Sequence, residues 1–151
     1  MLTFDTCSFR DLSFTTGFGA LVCEYAAETA NPSIGEAFPQ MEKYYELDRE
    51  GKIRVIRVRD DGQLVGAAVL LLTVSQHYPF PMVGVDSLYL RQNWRKGSTG
   101  LKLLAMIKAE AKSLGAPGLP LMAPPDSPLD KLCRLKKLVH THNCYWCPCD
   151  E

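Results

Sequence analysis

Four cations, Arg91, Arg95, Lys96 and Lys102, crowd one short stretch of a chain whose 17 Lys+Arg and 17 Asp+Glu otherwise cancel. Inside that stretch stands Gly97-Ser98-Thr99-Gly100, and a helical apolar pattern begins at Leu101. The first amides of a helix have no intrahelical acceptor, and the helix dipole adds partial positive charge there. Small residues let the backbone come close to a ligand. With cations alongside, the junction suits a phosphate or pyrophosphate. The plainer alternative is a basic, glycine-containing turn that binds nothing. Two other phosphate signatures are missing: there is no Gly-x-x-x-x-Gly-Lys-Ser/Thr and no Gly-x-Gly-x-x-Gly after the first strand.

Proton transfer has two candidates. Asp86 stands on the strand that feeds the basic loop, where a carboxylate suits a general base. Its plainer role is a strand-end aspartate in solvent, or a turn partner of Ser87. His77, in the preceding loop, is the second candidate base, imidazole being the side chain suited to proton transfer near neutral pH. Its plainer role is an exposed loop histidine. His140, His142, Cys144, Cys147 and Cys149 raise the question of zinc, because Cys144-x-x-Cys147 has ligand spacing. No second ligand pair of that kind occurs elsewhere, so no metal is expected and these thiols read as oxidisable tail groups.

These residues need elements to hold them. Residues 14–30 carry apolar side chains near helical spacing and are broken by Asn31-Pro32. A second helical stretch over 34–50 is interrupted at Pro39. Residues 52–59 alternate as a strand, Asp61-Gly62 is a hairpin turn, and 64–74 return as a buried strand. Residues 82–90 form the next strand. The helix over 101–114 closes at Gly115. A short strand is expected over 118–123 and a helix over 127–137, with Ser127 as N-cap and Pro128 at its first position. A last strand is expected over 140–146. The order implies an α/β sandwich with one sheet.

At 151 residues the chain makes one domain, 1–151, with 143–151 as a partly loose tail. Zero net charge argues against nucleic acid and against an anionic membrane surface as partners. No apolar run reaches the ~20 residues that span a bilayer. The first residues lack the basic and apolar regions of a secretory signal. A cytoplasmic location is therefore expected, in the host cytoplasm if the chain is viral. Cys7, Cys23 and Cys133 read as reduced thiols.

The loop resembles the signature of the GCN5-related N-acetyltransferases, Arg/Gln-x-x-Gly-x-Gly/Ala between the fourth strand and the third helix. Here it reads Arg95-Lys96-Gly97-Ser98-Thr99-Gly100, and Leu101-Lys102-Leu103-Leu104 looks like the family's helix start. Val85-Asp86-Ser87-Leu88-Tyr89-Leu90 looks like its fourth strand. The resemblance is strongest to small bacterial and bacteriophage members. It implies a mixed, mostly antiparallel sheet splayed between the fourth and fifth strands, with helices on both faces. It implies acetyl-CoA as cofactor. The amides of Gly97, Ser98, Thr99 and Gly100 would hold the pyrophosphate at the start of the helix that Leu101 opens. Arg95 and Lys96 would supply charge, and the main chain of Leu88, Tyr89 and Leu90 would meet the pantetheine arm.

By the same resemblance, Asp86 is near the family's catalytic glutamate, and a primary amine of a small molecule or protein attacks the thioester directly. Two positions depart from the pattern. Ser98 stands where glycine is usual, and Leu135 falls near the place of a tyrosine acid. Either water protonates the leaving thiolate, at pKa ~8.5 a tolerable leaving group, or the domain is a weak catalyst. In the second case it binds CoA or docks on a partner protein, which for a viral member would be a host protein. Family members often dimerise, so a homodimer is also expected.

Overall fold

The computed structural model describes Met1–Cys149. The sheet has four antiparallel strands in the order β1-β2-β3-β4. They are β1 (Leu2–Cys7), β2 (Ile53–Asp60), β3 (Gln63–Val74) and β4 (Pro81–Leu90). The helices are α1 (Phe9–Ser13), α2 (Phe18–Thr29), α3 (Met41–Arg49), α4 (Thr99–Ser113) and α5 (Pro128–Leu135).

Strand alternation divides the core in two. On one face Ile56, Val58, Val65, Leu70 and Val83 pack against Leu103, Ile107 and Ala111 of α4. On the other, Val55, Leu64, Ala67 and Val69 pack against Phe9, Leu12 and Leu21 of α1 and α2, with Tyr44 and Tyr45 of α3 alongside. Helices therefore cover both faces, as expected. Ser127 caps α5, accepting from the amide of Asp130 at 3.2 Å, and α4 ends in a Schellman turn. There Gly115 sits at φ +86°, and the amides of Gly115 and Ala116 reach the carbonyls of Lys112 and Ala111.

Four expectations change. Residues 2–7 form a strand where none was expected; this edge strand pairs with β2 from Leu2↔Asp60 to Cys7↔Val55. The helix expected over 14–30 starts only at Phe18, as α2, with Gly17 at φ +92° ahead of it, and the separate helix α1 precedes residue 14. Residues 118–123 and 140–146 are not strands. Pro120 has no amide to give a ladder, and residues 140–146 are exposed throughout, with no apolar face to bury. The sheet is accordingly antiparallel throughout the described residues, and β4 is its edge.

Inside β4 the pairing skips one residue. Val69 faces Ser87 and Leu70 faces Val85, which leaves Asp86 without a partner. This is a β-bulge. It reverses the side-chain parity of the strand. Val83 and Val85 belong to the α4 face, and so do Leu88 and Leu90, an arrangement impossible in a regular ladder.

Candidate functional site

Two cavities flank β4. The smaller, about 190 Å³, lies on the α1/α2/α3 side and has Asp86, Ser87 and Tyr89 in its wall. The larger is a groove of about 1000 Å³ between β4, the start of α4 and the 121–135 segment. Asp86, Ser87, Tyr89 and Tyr25 line both. The bulge is the reason that one strand serves both: it turns Asp86 and Ser87 toward the first cavity while Leu88 and Leu90 stay on the second.

Asp86 is exposed, and no cation pairs with it among the described residues. Its Oδ2 accepts a hydrogen bond from the Tyr44 hydroxyl at 2.8 Å. Tyr44 is fixed from behind by stacking on Phe9, with ring centroids 4.7 Å apart. Burial, and then the Asp86 carboxylate, push the Tyr44 phenol well above its usual range. Burial and the same carboxylate raise Tyr25. Both hydroxyls therefore stay protonated at neutral pH and act as donors. Tyr25 is steadied edge-on against Tyr89 at 5.9 Å.

At the basic loop, Gly97 takes φ +65°, a left-handed turn that glycine adopts at no steric cost. The first bond of α4 runs from the Lys102 amide to the Ser98 carbonyl at 2.9 Å. The amides of Thr99, Gly100 and Leu101 ahead of it have no intrahelical acceptor. Gly97, Gly100 and Leu101 line the groove with Leu88, Tyr89, Leu90 and Arg95. Lys96, Ser98 and Thr99 are not on its wall. Lys96 and Ser98 are exposed, and Thr99 is buried with its hydroxyl turned back to the Lys96 carbonyl at 3.4 Å.

The loop arginines are already engaged. Arg91 meets Glu24 at 3.0 Å and Arg95 meets Glu28 at 2.7 Å. Arg95 Nε also donates to the Leu90 carbonyl at 2.6 Å, and its guanidinium lies over the Tyr89 ring at 5.2 Å. The Arg95 ion pair holds the Glu28 carboxyl below its usual range. Two glutamates one turn apart on α2 thus clamp two arginines of the loop. Among the described residues no acid pairs with Lys96 or Lys102, and these two remain the uncompensated cations.

His77 is exposed in the 75–80 loop and lines neither cavity; its amide caps onto Ser75 Oγ at 3.1 Å. Leu135 and Cys144 line the groove, and no tyrosine comes from α5. Among the described residues no three His, Cys, Asp or Glu side chains converge as metal ligands. Tyr25 and Glu28 were not read from the sequence as site residues. Tyr44 is expected from the sequence among the aromatics of an acceptor groove built by the two N-terminal helices and the 77–81 loop, but not as the partner of Asp86, which lies 42 residues away.

No protein-family model matches the sequence, and no curated protein matches it. Solved structures do. A ribosomal-protein-alanine N-acetyltransferase from Brucella melitensis biovar Abortus 2308 is 18% identical, with a TM-score of 0.70 over 97% of this chain and 99% of that one. An aminoglycoside acetyltransferase from an uncultured soil metagenomic sample is 16% identical, with a TM-score of 0.76 over 99% and 97%. The aminoglycoside acetyltransferase AAC(6')-Iy, bound to a bisubstrate CoA analogue, is 11% identical, with a TM-score of 0.72 over 98% and 97%. The chain has the fold of these N-acetyltransferases, as the resemblance implied.

Proposed function

We propose that the protein is an N-acetyltransferase that uses acetyl-CoA to acetylate a primary amine. The observation that carries this reading is the meeting of the two cavities at Asp86 and Ser87, on the bulge of the edge strand. The fold supports it, since solved structures of that fold include one with CoA and one with a CoA analogue bound.

The residues of the larger groove fit CoA. Free amides at Thr99, Gly100 and Leu101 suit a pyrophosphate. Lys96 and Lys102 are exposed and off the groove wall, so what they add is uncompensated positive charge in and just after the loop. The main chain of Leu88 and the Leu90 amide, on the β4 edge, suit the amides of a pantetheine arm, the Leu90 carbonyl already accepting from Arg95. Arg95 has a supporting part: held by Glu28 and by the Leu90 carbonyl, it fixes the loop against β4. When bound, acetyl-CoA supplies a thioester whose carbonyl carbon the amine attacks, the N–C bond forming as the C–S bond breaks. Asp86 takes the proton that the alkylammonium loses, its carboxylate aimed by Tyr44. Tyr25, protonated and on the wall common to both cavities, is the donor placed to return a proton to the leaving sulfur. This role falls to α2 in a chain with Leu135 where a tyrosine acid was sought. His77 has no part in the step.

A second reading, a CoA-binding protein that docks on a partner, is favoured by the exposed Val139 and Tyr145, at 85% and 84% of full exposure. Replacing Asp86 separates the two. Asp86→Asn keeps the side-chain shape and removes the base, so thiol release with acetyl-CoA and an amine should fall ~10²- to 10⁴-fold. Acetyl-CoA affinity by calorimetry should hold. Unchanged turnover removes Asp86 from the chemistry; no turnover in the parent protein, with CoA still bound, favours docking.

A further inference from the structure

The smaller cavity has a chemistry of its own. Its floor is Leu12, Leu21, Ala67 and Val69, each buried, with 2%, 5%, 8% and 4% of full exposure. Its sides are aromatic: Phe9 meets Phe18 edge-on at 6.3 Å and Tyr44 face-on at 4.7 Å. Among the described residues one charged residue lines it, Asp86, at the junction with the groove. No lysine or arginine among them lines it, so none of them would neutralise a phosphate. No second acid among them lines it, so none of them would hold a second ammonium of a polycation. A cavity of ~150 Å³ in an apolar core holds a benzene molecule, and this one measures about 190 Å³. There is room inside it for one ring or a short alkyl chain.

We infer that the acceptor is a primary monoamine carried on a compact apolar group, an arylalkylamine or short alkylamine, with its ammonium at Asp86 and its apolar end on the Leu12–Val69 floor. The inference rests on the acetyl-transfer reading and gives it an acceptor class. It also sets this chain apart from those solved structures named as aminoglycoside acetyltransferases, whose fold it shares.

The test uses the full chain with four probes: phenethylamine, the n-alkylamines from propyl to hexyl, spermidine and glucosamine 6-phosphate. Acetyl-CoA binding is measured first by calorimetry, without amine. Its absence overturns the acetyl-transfer reading itself. With cofactor bound, kcat/KM should rise about fourfold per added methylene along the alkyl series until the cavity is full, which is the ~0.8 kcal/mol of a buried CH₂ expressed as a ratio. Phenethylamine should exceed spermidine and glucosamine 6-phosphate at least tenfold. A flat alkyl series, or preference for the polycation or the phosphorylated amine, overturns the acceptor class and leaves the cofactor reading standing. A binding readout covers a slow enzyme. Phenethylamine should shift the ring resonances of Phe9, Phe18 and Tyr44 in the CoA-loaded protein, and unshifted rings at saturating amine overturn the inference whatever the turnover.

Discussion

Gly66 of β3 lies tightly against Tyr89 and Leu90 of β4. A Cβ built there would lie 2.7 Å from Leu90 Cδ1 and 2.9 Å from the Tyr89 carbonyl oxygen, with Leu90 Cα at 3.3 Å. Carbon contacts are optimal near ~3.5–4.0 Å, so Gly66→Ala requires movement. The Leu90 methyl can rotate away, but the Tyr89 carbonyl is main chain and moves only with β4. Overpacking of this kind costs about 1–3 kcal/mol. Alanine recovers roughly 0.5–1 kcal/mol of backbone entropy relative to glycine in a strand. The net loss is then about 1 kcal/mol and at most about 2.5 kcal/mol, a fall in Tm of about 2–4 °C and at most about 10 °C at this chain length. Gly84, on β4, has no atom within 4 Å of the same added carbon, so Gly84→Ala keeps the entropy gain and should raise Tm slightly. Thermal unfolding followed by circular dichroism compares the pair. Because Tyr89 and Leu90 line the groove, Gly66→Ala should also weaken CoA binding in calorimetry, and Gly84→Ala should not. If Gly66→Ala is as stable as Gly84→Ala, the close approach of β3 to Tyr89 and Leu90 is refuted.

Two further predictions concern the loop and the thiols. Ser98→Glu sets a carboxylate at the N-terminus of α4, beside the free amides, and should abolish acetyl-CoA binding; unchanged affinity in calorimetry would remove this loop from the cofactor site. Burial pushes the Cys7 thiol up to about 11, so at pH 8 its thiolate is on the order of a thousandth of the total and iodoacetamide should spare it. Cys23, Cys144, Cys147 and Cys149 are exposed and should be labelled first in a mass-spectrometric time course. Labelling of Cys7 should then rise with pH toward 11, and rapid labelling at pH 8 would contradict its burial.

The parts of the fold that were legible in the sequence are those with a local cause. Asp61-Gly62 makes the β2–β3 hairpin because both residues take positive φ, +46° and +85°. Ser127-Pro128 starts α5 and Gly115 ends α4 through their own side-chain or backbone chemistry. The loop before Leu101 was legible for the same reason. What escaped depends on partners far along the chain. Residues 2–7 become a strand through pairing with β2, 48 to 58 residues away, and Asp5 is held there by Arg57 and Arg59. The two late strands failed in the opposite sense: their composition allows extended chain, but no neighbour pairs with them. Arg95 shows the limit at the level of a single residue. Its type and place suit a phosphate, yet whether it is free depends on Glu28, 67 positions earlier.

The bulge at Asp86 accounts for both cavities with one unpaired residue. In a regular strand, Val83, Val85, Ser87 and Tyr89 would share one face, and Asp86, Leu88 and Leu90 the other. Asp86 would then point with Leu88 and Leu90 toward α4, and Tyr89 would join the opposite cluster only at the expense of Val85. The extra residue lets Val85 and Leu88 both serve the α4 core while Ser87 and Tyr89 serve the α2 side. It leaves Asp86 between them, without a ladder partner and free to be aimed by a side chain. Tyr44 does that from α3, braced by Phe9 of α1. The carboxylate proposed as base is therefore positioned by three elements that make no use of the cofactor loop. For that reason, a loop substitution such as Ser98→Glu should cost cofactor affinity while leaving the smaller cavity and its amine site in place.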